Sequence, residues 1–100
     1  MNKWHVYMIR TRFGTLYTGA ATDVERRLAE HRQGGHRGSR YLRSRGPLEL
    51  VYHAEIGGRS LAYKTECRIK RLTKRKKEEI ASAGLTARAL LDLLGLTVAP

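Results

Sequence analysis

The sequence predicts an α+β fold, a small three-stranded antiparallel β-sheet flanked by α-helices in the order β-β-α-β-α with further helices at the C-terminus. Three observations point there. Short runs of β-forming residues stand at 4–9, 15–20 and 48–56. The segments between and after them carry helix caps and apolar stripes of helical period. A chain of 100 residues, 41% of them hydrophobic, supports one modest core and no second domain. Residues 1–100 are therefore read as one domain, a core at about 3–72 with helices at about 73–95.

The first two runs, Trp4 to Ile9 and Thr15 to Ala20, flank Phe13-Gly14 and read as a hairpin. Pairing symmetric about Arg12 sets Tyr7 opposite Tyr17 on one face, subject to a one-residue slip. The pattern Thr22-Asp23-Val24-Glu25 is a capping box that starts a helix ending at Gly34-Gly35. Residues 36–47, rich in Gly, Arg and Ser and closed by Gly46-Pro47, have loop chemistry and are expected to be mobile without a ligand. A third strand follows at Leu48 to Ile56. A second helix, about Ser60 to Leu72, carries Leu61, Ala62, Thr65, Ile69 and Leu72 on one stripe. Two short helices, about Lys74 to Ala83 and Ala87 to Leu94, are separated by Gly84. The last holds Leu90, Leu91, Leu93 and Leu94, read as core cover or as the seat of a weak homodimer of an otherwise monomeric protein.

Charge is distributed unevenly. The formal net charge is +11, and residues 36–77 hold 13 of the 20 basic side chains against three of the nine acidic ones. Arg37, Arg40, Arg43 and Arg45 form one cluster, and Arg68, Lys70, Arg71, Lys74, Arg75, Lys76 and Lys77 a second. Two separated clusters suit a polyanion, and neither lies on the aromatic amphipathic helix that a membrane surface would call for. The lone Cys67 excludes an internal disulfide or a paired-thiolate zinc site and fits a reducing cytoplasm. Residues 1–7 carry no apolar signal core, and no stretch approaches the roughly 18 apolar residues of a membrane span. A cytoplasmic location without a membrane partner is expected.

Chemistry is concentrated in a few residues. Asp23, Arg27 and His31 recur every four residues on the first helix, which reads either as an exposed ion-pair ladder or as a cationic wall beside the phenols of Tyr7 and Tyr17. Glu66 is the only acid between Glu55 and Glu78. It is either a salt-bridge partner of a neighbouring base or a carboxylate that holds a divalent cation together with phosphate oxygens and water. Tyr41, and also Trp4, offer rings for stacking on an unpaired base, although Trp4 is expected in the core.

In order along the chain, these residues resemble the GIY-YIG nuclease superfamily, in particular its small single-domain bacterial members. The elements are the triplet His5-Val6-Tyr7, the triplet Tyr17-Thr18-Gly19, Arg27 with His31, Arg40-Tyr41, and Glu66 four residues after Ala62 and four before Lys70. The resemblance implies a site of Tyr7, Tyr17, Arg27, His31 and Glu66. It also implies one Mg²⁺ or Mn²⁺ on Glu66 and hydrolysis of DNA phosphodiesters, with RNA as an alternative strand. Either phenol is a candidate base. Tyr7 is preferred, with Tyr17 orienting water or phosphate and His31 assisting the phenol proton. Such a base needs its pKa of about 10 lowered by nearby positive charge from Arg27, metal and substrate. Gly19 stands where a side chain would crowd the site. Arg37, Arg40, Tyr41, Arg43, Arg45, Arg68, Lys70, Arg71 and Lys74 form the expected nucleic-acid surface. Such a surface contacts phosphate without reading bases, so selectivity for branched, flapped or distorted DNA in repair or recombination follows by family analogy. Two departures stand out: His5-Val6 replaces Gly-Ile, and Ala20 stands where some repair members have lysine, which leaves base activation to Arg27 and metal. The alternative is a non-catalytic basic DNA- or RNA-binding module with a vestigial site.

Overall fold

Thr11 and Thr15 close the first turn. In the computed structural model, which describes residues 3–97, the Thr11 N–H donates to Thr15 O at 2.9 Å and the two hydroxyls meet at 2.7 Å. The loop between them has three residues because Gly14 adopts φ +82°, the left-handed turn position that favours glycine. The strands β1 (Trp4–Arg10) and β2 (Leu16–Ala21) are therefore paired about Phe13 instead of Arg12. Tyr7 faces Gly19, and Tyr17 faces Ile9. The expected register is off by two residues. An even shift keeps Tyr7 and Tyr17 on one face, with ring centroids 6.5 Å apart.

The remaining elements follow the predicted order: α1 (Val24–Gln33), β3 (Glu49–Gly57), α2 (Arg59–Lys70), α3 (Lys74–Ala83) and α4 (Ala87–Leu93). The antiparallel sheet has the order β2-β1-β3, so β1 is central and β2 is an edge. Alternation splits the core. Val6 and Met8 join Tyr52, Ala54, Ile69, Ile80, Leu90 and Leu94 under α2, α3 and α4. On the opposite face, Tyr7 and Ile9 join Leu28, Leu42 and Leu48 under α1 and the arginine-rich segment.

Several sequence expectations change in detail. Helix α1 is capped by Asp23, whose carboxylate accepts the Arg26 N–H at 3.1 Å. The box at Thr22 and Glu25 is displaced by one residue because the carboxylate caps as well as a hydroxyl and complements the helix dipole. That role also removes Asp23 from any ladder with Arg27. Gly34 ends α1 at φ +71° as expected. The arginine-rich segment is anchored rather than loose: Leu42 is 1% exposed, and the Arg12 N–H reaches Arg45 O at 2.9 Å. Trp4 is half-buried rather than central, since it starts β1 beside a break in register. There the Tyr63 ring meets its edge and Arg59 lies over it. In the C-terminal helix Leu90 and Leu94 are buried, but Leu93 points outward.

One polar clamp ties α3 to the sheet. Arg10 donates both terminal nitrogens to the carboxylate oxygens of Glu78 at 2.8 Å. The hydrogen bond from Arg10 holds the Glu78 pKa below its ordinary value of 4.5. We expect Glu78→Gln to lower stability at neutral pH by on the order of 1 kcal/mol, the upper range for a half-exposed bidentate pair. A carboxylate depressed in the folded state contributes stability above its unfolded pKa and loses it as pH falls through the folded value. Denaturant melts should therefore show the gap between wild type and variant closing below about pH 4.5. A constant gap would assign the effect to packing.

Candidate functional site

Tyr7 stands on the central strand, yet its phenol reaches the sheet edge because residue 19 has no side chain. A β-carbon there would lie 2.5 Å from Tyr7 Cζ and closer still to Oη, a distance no real side chain tolerates. The expectation that Gly19 avoids crowding thus has a definite physical cause, the passage of the Tyr7 ring over its Cα. Beyond Gly19 the Tyr7 Oη meets His31 Nε2 at 2.9 Å. On the other side of the imidazole, the Ser39 N–H donates to Nδ1 at 3.0 Å. Tyr7 and His31 are each only 2% exposed.

Burial decides the protonation states. It pushes the Tyr7 phenol well above its usual value, and the nearby Tyr17 and Glu66 act in the same direction while Arg27 opposes them. In the chain alone, desolvation of the phenolate outweighs one guanidinium, so Arg27 by itself does not supply the lowering that the sequence reading assigns to Arg27, metal and substrate together. His31 is pulled down to about 4, first by burial and then by Arg27. It is neutral at physiological pH and a poor acceptor for a phenol proton.

Of the other predicted residues, Tyr17 and Arg27 lie beside this pair. Tyr17 meets the His31 ring edge-on at 5.6 Å and stacks on Tyr41 at 5.9 Å. Arg45 lies 4.2 Å over the Tyr41 ring, and the Tyr41 hydroxyl donates to Thr15 Oγ1 at 3.0 Å. Tyr41 therefore extends the site's own stack instead of presenting a free ring to a base. Arg27 donates to Glu30 Oε1 at 3.0 Å and to the Arg37 carbonyl, which fixes it between α1 and the arginine-rich segment. Glu66, with its side chain 19% exposed, accepts from Lys70 Nζ at 2.7 Å.

The donor set bears on what cation Glu66 would take. Among the described residues, no three His, Cys, Asp or Glu side chains converge as a metal cage. One shielded carboxylate, already paired with an ammonium, fits a hard divalent ion that draws its remaining ligands from water and phosphate. It does not fit a zinc-type site.

The basic residues divide into two groups. Lys70 and Lys77 line a cleft of about 310 Å³ with Leu16, Tyr17, Thr18 and Tyr41, and Lys74 and Lys77 line its continuation beside Thr15. Lys77 was absent from the expected surface, although its i+3 spacing from Lys74 puts both on one helix face. Ser39 was missed as well, because its contribution is a backbone amide that no side-chain pattern records. Arg37, Arg40 and Arg71 are exposed. Arg68 instead donates to Leu94 O at 2.7 Å and holds α4, while Arg43 and Arg45 donate to Gly35 O and Tyr41 O.

Comparison with known proteins gives a consistent picture. The GIY-YIG catalytic domain matches residues 3–79, a span that holds every residue of the cluster. A UPF0213 protein of Citrobacter koseri is 48% identical over 94% of this chain and 92% of its own length. Another, from Yersinia pestis, is 52% identical over 77% of this chain and 79% of its own. The solution NMR structure of a UPF0213 protein from Bacillus halodurans is 37% identical. It covers 81% of this chain and 84% of that one, with a TM-score of 0.53.

The crossing of Tyr7 over Gly19 is directly testable. Gly19→Ala should cost about 1–3 kcal/mol in chemical denaturation through overpacking and displace the Tyr7 ring from His31 in NMR spectra. An alanine variant with wild-type stability and unchanged Tyr7 and His31 ring signals would mean that the contact is not tight.

Proposed function

This chain belongs to the GIY-YIG nuclease family, and from that premise we propose that it is a metal-dependent DNA endonuclease acting on branched, flapped or distorted DNA. The observation that carries the reading is that two phenols and Arg27 lie at one strand edge beside a lysine-lined cleft, with Glu66 paired to one of those lysines. A GIY-YIG domain implies a nucleic-acid partner and, in general, a divalent metal. The finer reading rests on the residues. Arginines and lysines bind phosphate without reading bases, so DNA shape supplies the selectivity, and a role in repair or recombination follows by family analogy. Among the described residues no helix is long and apolar enough to cross a membrane.

Each side chain has a task that its position permits. Tyr7 is the base that takes the proton of the attacking water. Tyr17, half-buried and lining the cleft, orients that water or the phosphate. Arg27 donates to the non-bridging oxygens as charge builds on them. Glu66 would hold the divalent cation, which would supply charge neutralisation at the phosphate and at the leaving 3′ oxygen. Glu66 is also one of the causes that keep the proton on Tyr7. A cation held there would remove that contribution, which is the smallest of those acting on the phenol. Lys70, now paired with Glu66 at 2.7 Å, would then be available to phosphate.

A second reading draws on one observation. With Tyr7 protonated and Glu66 paired to Lys70, the chain without a cation is a basic binding module, and a protein that stayed so would bind DNA or RNA without cutting it.

Cleavage separates the two. End-labelled duplex, flap, fork and four-way-junction DNA with Mg²⁺ or Mn²⁺ should be cut by the wild type. Glu66→Gln or a chelator should abolish cutting, and Tyr7→Phe should cost about 10²–10⁴-fold, the range of a general base. Full activity in Glu66→Gln would remove the metal assignment. Because the phenolate is the active form, the rate should climb with pH through the alkaline range. A profile that is flat between pH 7 and 9.5 would exclude Tyr7 as the base. Binding should weaken steeply with salt in every variant.

A further inference from the structure

We infer that the arginine-rich segment sets the tautomer of His31, and through it the direction of the hydrogen bond at Tyr7, with Gly38 and Ser39 as positioning residues. The first step is a matter of donors. A backbone N–H can only donate, so the Ser39 amide at 3.0 Å makes His31 Nδ1 an acceptor. A neutral imidazole has one proton, which must then reside on Nε2. At 2.9 Å, Nε2–H donates to Tyr7 Oη. Oη is thereby an acceptor toward His31, and its own proton is directed elsewhere.

The opposite tautomer would reverse the chemistry. With the proton on Nδ1, Nε2 would present a lone pair to Tyr7 and hold the phenol proton between them. A phenolate would then face a lone pair instead of a donor. The amide of residue 39 thus selects the arrangement that favours the charged phenolate.

Close packing holds that amide in place. A β-carbon at Gly38 would stand 2.8 Å from Glu30 O and 3.2 Å from His31 Cα, so the segment rests directly on the α1 backbone and delivers the next N–H to the imidazole. Leu42, buried among Tyr7, Ile9, Leu28 and Leu48, anchors it from below. Farther along, the segment stands off from the end of α1 across a cavity of about 480 Å³ lined by His31, Arg32, Leu42, Arg43, Pro47 and Leu48. The hold on His31 is therefore local to Gly38 and Ser39. The same segment carries Arg37 and Arg40, two of the proposed phosphate contacts. On the proposed reading of Tyr7 as the base, DNA seated on this segment is thereby coupled to the orientation of the catalytic phenol.

The ¹⁵N signals of the His31 ring, read by two-bond proton–nitrogen correlation without DNA or metal, should show a single Nε2–H tautomer in the wild type. An Nδ1–H pattern would overturn the inference at once. Ser39→Pro removes the donor and should shift the ring toward Nδ1–H, lowering kcat about 10- to 100-fold, the worth of one hydrogen bond to a charged group, with KM for DNA little changed. Ser39→Ala keeps the amide, removes only the hydroxyl that accepts the Tyr41 N–H at 3.1 Å, and should keep the Nε2–H tautomer. Gly38→Ala, which displaces the amide without deleting it, gives the same reading if the proline variant does not fold. A folded Ser39→Pro protein that keeps the Nε2–H tautomer, or that loses it with kcat unchanged, would sink the proposal. A protein that shows the Nε2–H tautomer but cuts no DNA would remove the nuclease reading while leaving the tautomer assignment standing.

Discussion

The phenol of Tyr7 passes over the α-carbon of Gly19 and ends on the imidazole of His31, and most of the fold is arranged around that crossing. Tyr7 must stand on the central strand to be held firmly, and the neighbouring strand must open a gap for its ring. Gly19 is that gap. It lies opposite Tyr7 only because Gly14 permits a three-residue turn closed by Thr11 and Thr15. A hairpin symmetric about Arg12 would put the Tyr17 side chain at the crossing and block the path. A turn residue five positions away along the chain thus determines whether the phenol reaches the edge of the sheet.

Burial of the same phenol sets the electrostatics. Desolvation and, after it, Tyr17 keep its proton on, and one guanidinium pulls the other way. The chain alone holds these effects in a resting balance, with Lys70 on Glu66 and Arg27 on Glu30. Under the proposed function, a cation held by Glu66 would free the Lys70 ammonium beside the cleft. Such an exchange suits a site with a single carboxylate, where a cation held by few protein ligands binds best once phosphate is present.

Much of this was legible in the sequence. β-former runs, the glycine pair after the first helix and the stripe of Ala62, Thr65 and Ile69 marked every element, because local chemistry decides local structure. The spacing of Tyr7, Tyr17, Arg27 and His31 marked residues that lie side by side, and Glu66 reaches the cleft through Lys70. What stayed hidden depended on burial or on backbone. Leu42 is one apolar residue among arginines, glycines and serines, so a segment with a core anchor read as a free loop. Tyr7 had to be placed in the interior before the sign of its pKa shift could be known. The role of Ser39 lies in an amide that every residue except proline has, and only the approach of Gly38 to α1 reveals it.

The positive charge of the chain also means something different once partners are assigned. Arg43, Arg45 and Arg68 each donate to a backbone carbonyl, and Arg10 is committed to Glu78, so a sizeable share of the basic side chains is structural. Those left for a polyanion lie on two sides of the edge strand. Tyr17 and Ala21 of β2 pack with α1 and the arginine-rich segment, which carries Arg37 and Arg40. Leu16 and Ala20 pack on the opposite face with α2 and α3, which carry Lys70, Lys74 and Lys77. A phosphate backbone lying along β2 would meet arginines on one flank and lysines on the other, with the two phenols between them. An edge strand is ordinarily a liability to be covered. Under the proposed function, this edge is a line on the surface along which both basic flanks and the phenols of the site lie.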